Sequence, residues 1–109
     1  MKRYENQKFI NGELPTIVKG AVFVNCEFKG TLPHLYDSEL HNCDLGNTKI
    51  ITLINCKLFS TRLDGADFSK ADTRYSVTNA GSPCLARGCN WTGVACLLDC
   101  SFFQGLIYV

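Results

Sequence analysis

The sequence lacks a strong charge of either sign, and it lacks long apolar runs. Eleven Lys and Arg residues nearly balance ten Asp and Glu residues, so the formal net charge is +1. This balance excludes a strongly basic nucleic-acid binder and a uniformly acidic decoy of DNA. No apolar run approaches the roughly 20 residues that a membrane-spanning helix needs. Residues 1–8 lack the apolar stretch of a secretory signal, so we expect a cytoplasmic protein that does not bind a membrane.

Catalytic motifs are also missing. The sequence has no glycine-rich phosphate loop, no G-x-S-x-G nucleophile motif and no H-E-x-x-H zinc motif. The two histidines, His34 and His41, belong to no motif that contains a Ser or Cys nucleophile. We therefore expect a protein that is not an enzyme and that binds no cofactor.

What the sequence does contain is a step of five residues. From Cys56 the chain runs C-K-L-F-S, T-R-L-D-G, A-D-F-S-K, A-D-T-R-Y and S-V-T-N-A without interruption. The first residue of each block is small, the third is usually large and apolar, and the others are mostly polar. Neither the helical period of 3.6 nor the strand period of 2 explains this step. Four such blocks predict one square coil of about 20 residues, in which the first and third residues point inward.

Seventeen blocks cover the chain from Thr16 onward if four interruptions are allowed. The interruptions are Tyr36-Asp37, Leu53-Ile54-Asn55, Gly81-Ser82-Pro83 and Val94. If the four sides of a coil are numbered in order from the block at Thr16, the first and third interruptions fall at one corner, between sides four and one. Loops at the corners of a solenoid often carry recognition. Drift in a degenerate repeat explains them equally well. Residues 1–15 do not fit the repeat, and we expect Lys8 to Pro15 to form a strand and turn that cap the first coil.

The repeat resembles that of the pentapeptide-repeat family, whose consensus is a small residue, then Asp or Asn, then Leu or Phe, then two variable residues. Ala66-Asp67-Phe68 and Cys43-Asp44-Leu45 match this consensus closely. The resemblance implies an all-β fold, a right-handed quadrilateral β-helix, here of about four coils. We expect a single domain with the N-terminal cap at residues 1–15 and the solenoid at residues 16–109. The family also forms dimers through C-terminal ends, which implies a homodimer through Leu106, Ile107, Tyr108 and Val109.

The resemblance also implies a class of partner. Some pentapeptide-repeat proteins are similar in shape and charge to duplex DNA and bind topoisomerases. We therefore expect a protein partner that handles DNA, either a gyrase-type topoisomerase or a nucleic-acid-guided phage-defence complex such as a CRISPR effector. The chain would inhibit this partner without contacting nucleic acid itself. A structural or scaffold solenoid without an inhibitory role is the alternative.

Two acidic residues suggest partial DNA mimicry. In a register of four blocks per coil, Asp44 and Asp67 occupy equivalent outward positions one coil apart. Regularly spaced acids on a rod imitate a phosphate backbone. The predicted acidic ladder is short, and the near-zero net charge weighs against mimicry.

Seven cysteines are a high content for 109 residues. An odd number without a secretory signal argues against a disulfide framework. Tight C-x-x-C pairs, which are typical of zinc sites, are absent. We expect free thiols, of which only Cys96 points outward and six are buried at the small inward position: Cys26, Cys43, Cys56, Cys84, Cys89 and Cys100.

One side of the predicted rod collects outward apolar residues. Side four is built from the blocks that begin at Thr31, Cys56, Ser76 and Cys100, and its outward apolar residues are Leu32, Leu35, Phe59, Val77 and Phe103. Together with the neighbouring corner residues Tyr36 and Asp37, they form the predicted partner-binding surface, because a monomer seldom exposes so much contiguous apolar area. Two other interpretations stay open: residues 1–15 fold over this side, or it forms the dimer contact.

Overall fold

The computed structural model describes residues 2–78, 84–85, 88–90 and 106–107, with backbone alone for 84–85 and 106–107. These residues form twelve short strands, and none of them forms a helix that is long and apolar enough to cross a membrane. The strands are β1 (Lys2–Glu5), β2 (Lys8–Phe9), β3 (Ile17–Lys19), β4 (Ala21–Val24), β5 (Glu27–Phe28), β6 (His34–Tyr36), β7 (Glu39–His41), β8 (Leu53–Ile54), β9 (Lys57–Phe59), β10 (Val77–Thr78), β11 (Cys84–Leu85) and β12 (Leu106–Ile107).

The strands pair in parallel between successive turns of one coiling chain. Face 1 contains β1, β4, β7, β9 and β10 in that order, and face 4 contains β3, β6 and β8. Face 2 contains β2 and β5, and it continues through single bridges from Glu27 to Asp44 and from Asp44 to Arg62. Face 3 consists of bridges that join Thr31, Lys49, Asp67 and Asn90. The predicted all-β solenoid of about four coils is therefore confirmed.

The interior is a stack of apolar side chains, one from the middle of each face in each coil. Leu40, Leu45, Ile50 and Leu53 make one complete layer, and each of them is 0% exposed. Leu58, Leu63 and Phe68 lie in the next coil and are equally buried. Burial of one such side chain contributes about 1.5–3 kcal/mol, so a continuous stack provides most of the favourable free energy of folding. The predicted core residues Leu45, Leu58, Leu63 and Phe68 are confirmed.

The first coils are shorter than four blocks of five residues, and the coil after Leu58 reaches that length. Along face 1, Phe23 pairs with Leu40, Leu40 with Leu58, and Leu58 with Thr78, which are steps of 17, 18 and 20 residues. Most of the shortening lies between faces 3 and 4, where Leu35 follows Leu32, and Leu53 follows Ile50, at a step of three positions; all four are buried. The 17-residue coil is shortened by one further residue between faces 2 and 3, where Leu32 follows Phe28 at a step of four.

Two predicted interruptions are therefore wrong. The segment around Tyr36-Asp37 and the segment Leu53-Ile54-Asn55 are not loops between coils, because Tyr36 lies in β6 and Leu53 lies in β8. Each belongs to face 4 of its coil. The block predicted to begin at Thr31 is also wrong, since Thr31 is exposed while Leu32 is buried. The interruptions at 81–83 and at Val94 lie outside the described residues.

Residues 2–15 belong to the first coil of the solenoid. β1 pairs with β4, and β2 pairs with β5, in the same parallel register that joins the later coils. The strand expected after Lys8 is present, and a turn follows it. Tyr4 stacks on Phe23 with ring centroids 4.9 Å apart, and Phe9 meets Phe23 edge-on at 6.0 Å. This aromatic layer lies at the N-terminal end of the core.

Left-handed backbone conformations turn the corners. Between faces 1 and 2 the positive-φ residues are Asn6, Asn25, Asn42 and Ser60. Asn adopts this conformation more readily than most residues with a Cβ atom. The amides also form a ladder, because Asn25 donates to Asn6 at 3.3 Å and Asn42 donates to Asn25 at 2.8 Å.

Substitution of Leu35 distinguishes the observed register from one with four blocks in every coil. Leu35→Ala and Leu58→Ala should each lower the free energy of unfolding by about 2–5 kcal/mol, because each leaves a cavity in the stack. Lys70→Ala, on the exposed surface, should change it by less than about 0.5 kcal/mol. Urea denaturation followed by circular dichroism measures all three. A Leu35→Ala protein as stable as Lys70→Ala would contradict the observed register.

Candidate recognition surface

The described cysteines line the inside of the corners. Cys26, Cys43 and Cys56 are buried and Cys89 is half-buried, all as free thiols. The inward position predicted for Cys26, Cys43 and Cys56 is thereby confirmed. The side chains of Cys84, Cys96 and Cys100 lie outside the described residues.

These inward positions select a hydrogen-bond donor as well as a small volume. The Sγ atoms of Cys26 and Cys56 lie 3.4 Å from the carbonyl oxygens of Val24 and Ile54, two residues earlier in the chain. Ser38 makes the same contact through its hydroxyl group, which donates to the carbonyl of Tyr36 at 2.8 Å. Cys, Ser and Thr therefore replace one another here because each satisfies a buried carbonyl group.

Burial makes the thiols poor nucleophiles. It raises the pKa of Cys43 to about 12 and that of Cys56 to about 11. It also raises the pKa of Cys89 above its ordinary value. The thiolate is the reactive form, so burial disfavours reaction of these three thiols at neutral pH. Within residues 2–78 and 88–90, no three His, Cys, Asp or Glu side chains are grouped closely enough to hold a metal ion.

The predicted acidic ladder is wrong. Asp44 lies on face 2 between Glu27 and Arg62, whereas Asp67 lies on face 3 between Lys49 and Asn90. The short coils shift the register, so the two carboxylates fall on different faces. Each binds a backbone amide two residues later, at 2.8 Å for Gly46 and 2.9 Å for Ser69. The hydrogen bonds from Ser69 lower the pKa of Asp67.

Both histidines contact neighbouring side chains on the outside of the rod. His34 Nδ1 lies 2.6 Å from the hydroxyl group of Thr52 on face 4. His41 Nε2 lies 2.9 Å from a carboxylate oxygen of Glu39, and its ring stacks on Phe59 with centroids 4.5 Å apart. Both histidines are half-buried, outward-facing and held by neighbours on adjacent coils or on the same strand.

The predicted apolar strip is partly wrong. Leu32 and Leu35 are 3% and 0% exposed and belong to the core of faces 3 and 4, so they are not available to a partner. Phe59 and Val77 do point outward, and both lie half-buried on face 1. Phe103 lies outside the described residues. Leu32 lies inward because it follows Phe28 of face 2 at a step of four positions, and Leu35 lies inward because it follows Leu32 at a step of three.

Two columns of outward side chains cover face 1. The β-ladder aligns Val24, His41 and Phe59 in one column. The other column contains Val22, Glu39, Lys57 and Val77. The His41–Phe59 stack therefore has Val24 next to it in its own column. In the neighbouring column it has a pair of opposite charges, Glu39 and Lys57. A mixed surface of this kind, apolar with charges at its margin, is typical of protein contacts.

Face 4 carries a second apolar and aromatic surface, which sequence reasoning missed. Its outward residues include Ile17, which is 56% exposed, and the half-buried Tyr36 and Ile54. Lys19 lies over the Tyr36 ring with its Nζ atom 5.4 Å from the centroid. The sequence contains a signal for this face: the spacing Leu32, Leu35 and Ile50, Leu53, which marks a repeated short step between faces 3 and 4.

The corner between faces 4 and 1 contains Asp37, as the sequence predicted, but it is a tight corner and not a bulging loop. Asp37 and Asn55 both have positive φ, and Asn55 donates to the Asp37 carboxylate at 2.7 Å. The equivalent residue of the next coil is Tyr75, which also has positive φ and is 77% exposed.

Alkylation should follow burial. In native protein at pH 8, we expect iodoacetamide to modify Cys26, Cys43 and Cys56 far more slowly than Cys96, because burial limits access to all three thiols and also raises the pKa of Cys43 and Cys56. Mass spectrometry of digested protein gives the order, and the urea-unfolded chain, in which all seven cysteines should react alike, is the control. Equal rates for the seven thiols in native protein, or an intramolecular disulfide, would contradict this assignment.

No family model matches the chain, and no curated protein is similar to it. Among solved structures, a trypsin-treated variant of QnrB1, "a plasmid-mediated fluoroquinolone resistance protein", is 10% identical with a TM-score of 0.48. The match covers 99% of this chain and 91% of that one. A second trypsin-treated QnrB1 variant is 11% identical with a TM-score of 0.28, over 99% and 90% of the two chains. Neither likeness is close enough to carry an argument about function.

Proposed function

We propose that this protein is a non-catalytic recognition rod that binds a protein partner through face 1. The observation that supports the proposal is the outward column of Val24, His41 and Phe59, with Val77 beside it. These side chains are half-buried on a rigid sheet, so little conformational entropy is lost when they pack against a partner. Aromatic residues in such positions often provide most of the binding energy.

The nature of the partner rests on the sequence resemblance. Some pentapeptide-repeat proteins bind topoisomerases. The partner class of this proposal is therefore a DNA-handling machine, either a topoisomerase or a nucleic-acid-guided defence complex. Inhibition follows if the rod covers a surface that the partner needs for DNA. The mode of contact is packing of face 1, since the acids that mimicry requires lie on separate faces.

A scaffold role is the second candidate. It is favoured by the alternation of charge around the rod, where Arg62 lies 3.6 Å from Asp64 and Lys29 lies 3.6 Å from Glu27. Such local pairs leave no large field of one sign to compete with DNA. A scaffold would bind through the same apolar column but leave the partner's activity unchanged.

Substitutions on face 1 test the binding proposal. The double variant Phe59→Ser, Val77→Ser should fold and lose at least about tenfold in affinity for a partner that the unsubstituted protein captures, which corresponds to about 1.4 kcal/mol. Ile10→Ser is the matched control, because Ile10 is an apolar residue 53% exposed near the end of β2 on face 2. Quantitative pull-down followed by calorimetry with the purified partner gives the affinities.

Two results of the binding experiment would contradict the proposal, and two further measurements complete it. Loss of binding with Ile10→Ser to the same extent, or retention of binding by the double variant, would overturn the assignment to face 1. An activity assay of the captured partner then separates an inhibitor from a scaffold. Circular dichroism must show that the double variant keeps the β-solenoid.

Self-association is a separate part of the proposal. The apolar segment from Leu106 to Val109, of which β12 pairs with β11, is expected to join two copies. Light scattering at about 100 µM protein should give the mass of a dimer, and Ile107→Lys should give a monomer, because a buried charge opposes the contact. A monomer mass for the unsubstituted chain at this concentration would defeat the dimer proposal.

A further inference from the structure

Tyr75 combines two unfavourable features in one residue. Its φ of 62° is a left-handed conformation that bulky side chains rarely adopt, and its ring is 77% exposed to solvent. The equivalent corners of the earlier coils contain Gly20, Asp37 and Asn55, which tolerate positive φ more easily. A large aromatic residue that is both strained and exposed points to a binding role, because folding by itself favours Gly or Asn there.

Face 4, directly beside Tyr75, has a column with a positive charge at each end. The ladder places Lys19, Tyr36 and Ile54 at equivalent positions of three successive coils. Arg74 follows in the fourth coil, where its carbonyl accepts a hydrogen bond from the amide of Asn55. The backbones of Lys19 and Arg74 therefore lie at the two ends of this column, with Tyr36 and Ile54 between them, and Lys19 Nζ reaches over the Tyr36 ring.

The length of this column defines what fits it. Adjacent strands lie about 4.8 Å apart, so three steps along the rod separate the Cα atoms of Lys19 and Arg74 by roughly 14 Å. In an extended peptide, residues i and i+4 point to the same side and lie about 13–14 Å apart, because each residue adds about 3.3–3.4 Å. The side chain at i+2 points to the same side, opposite the middle of the column.

The other charges nearby determine how strong and how selective this contact is. Asp72 accepts hydrogen bonds from Arg74, with Nε 2.9 Å and 3.0 Å from its two oxygens. This pair holds the guanidinium group in place. The Arg74 side chain is still 67% exposed and has further N–H groups that can donate hydrogen bonds. The carboxylates of Asp72 and Asp37 reduce the net positive charge, so bulk attraction is small and the spacing of the two cations provides the selectivity.

We propose that face 4 binds an extended acidic segment of a protein partner, in which two carboxylates four residues apart flank an apolar residue. Lys19, whose ammonium group lies over the Tyr36 ring, and Arg74 pair with the two carboxylates. The apolar residue packs on Ile54 beside Tyr36, and the Tyr75 ring lies along the edge of the segment. This site is on a different face from the Val24–His41–Phe59 column, so it goes beyond the proposed function and does not depend on it.

The probe is a blocked synthetic peptide, Gly-Ser-Glu-Thr-Leu-Thr-Glu-Ser-Gly, whose binding to the full chain is followed by fluorescence anisotropy. A matched peptide has Gln in place of both Glu residues. We expect the Glu peptide to bind at least about tenfold more tightly than the Gln peptide, and its affinity to fall as salt is raised, because the paired charges are exposed. Equal affinities, or no binding of the Glu peptide at millimolar concentration, would overturn the proposal.

Variants of the protein locate the site. The double variant Lys19→Glu, Arg74→Glu should weaken peptide binding at least tenfold. Lys29→Glu, Arg62→Glu on face 2 is the matched control, because Arg62, like Arg74, lies close to an Asp two residues away in sequence. Equal loss in both double variants would show attraction by net charge alone and would overturn the assignment to face 4.

Tyr75→Gly separates binding from folding. Glycine suits the left-handed corner, so this variant should melt no lower than the unsubstituted protein and yet bind the peptide several-fold more weakly. Unchanged affinity would remove Tyr75 from the site.

The double variant Phe59→Ser, Val77→Ser should bind the peptide with normal affinity, so failure of the face 1 proposal and failure of the face 4 proposal are distinguishable. Tighter binding of a single-stranded oligonucleotide that displaces the peptide would replace the acidic segment with nucleic acid and overturn the proposal.

Discussion

Backbone hydrogen bonds between successive coils are the interaction on which the rest of this structure depends. They run along the rod, so every residue lies directly beside its equivalents in the coils before and after it. Inside the rod this places Phe23, Leu40 and Leu58 on top of one another. Outside, it turns single residues into columns, such as His41 beside Phe59. The number of residues per coil therefore determines the content of both the core and the surface.

The corners show how local sequence supports this ladder. The corners between faces 1 and 2, 2 and 3, and 4 and 1 contain left-handed residues. Asn25, Asn42 and Asn55 adopt this conformation, and the side-chain amide of each donates a hydrogen bond to the neighbouring coil. Just inside the same corners, thiols and hydroxyls such as those of Cys56 and Ser38 donate to carbonyl groups that would otherwise be buried without partners. The high cysteine content thus has a structural explanation in the described residues. Tyr75 is the exception among these corners, and its cost to folding is what makes its exposure informative.

Surface charge distribution bears on how such a rod recognises other molecules. Acidic and basic residues are neighbours in several columns, as Asp44 beside Arg62 on face 2 and Lys49 beside Asp67 on face 3. Because opposite charges lie side by side, their fields cancel beyond a few ångströms, and long-range imitation of a polyanion is weak. Recognition then depends on short-range packing and on the spacing of individual charges. Faces 1 and 4 offer both, and they meet at the corner that contains Asp37 and Tyr75.

The sequence by itself determined the solenoid, because a small and a bulky residue recurring every five positions can be buried together only in a square coil. It also identified Leu45, Leu58, Leu63 and Phe68 as core and placed Cys26, Cys43 and Cys56 inside the rod. In the uninterrupted stretch after Cys56 the period alone was enough. Only the tertiary structure decided which residues stack on one another, since the steps of 17 and 18 residues are shorter than the period suggests. The short steps bury Leu32, four positions after Phe28, and Leu35, three positions after Leu32, and they place Asp44 and Asp67 on different faces. The physical reason is that a coil closes when its inward side chains fill the interior, and steps of three or four residues suffice at some corners where five were expected.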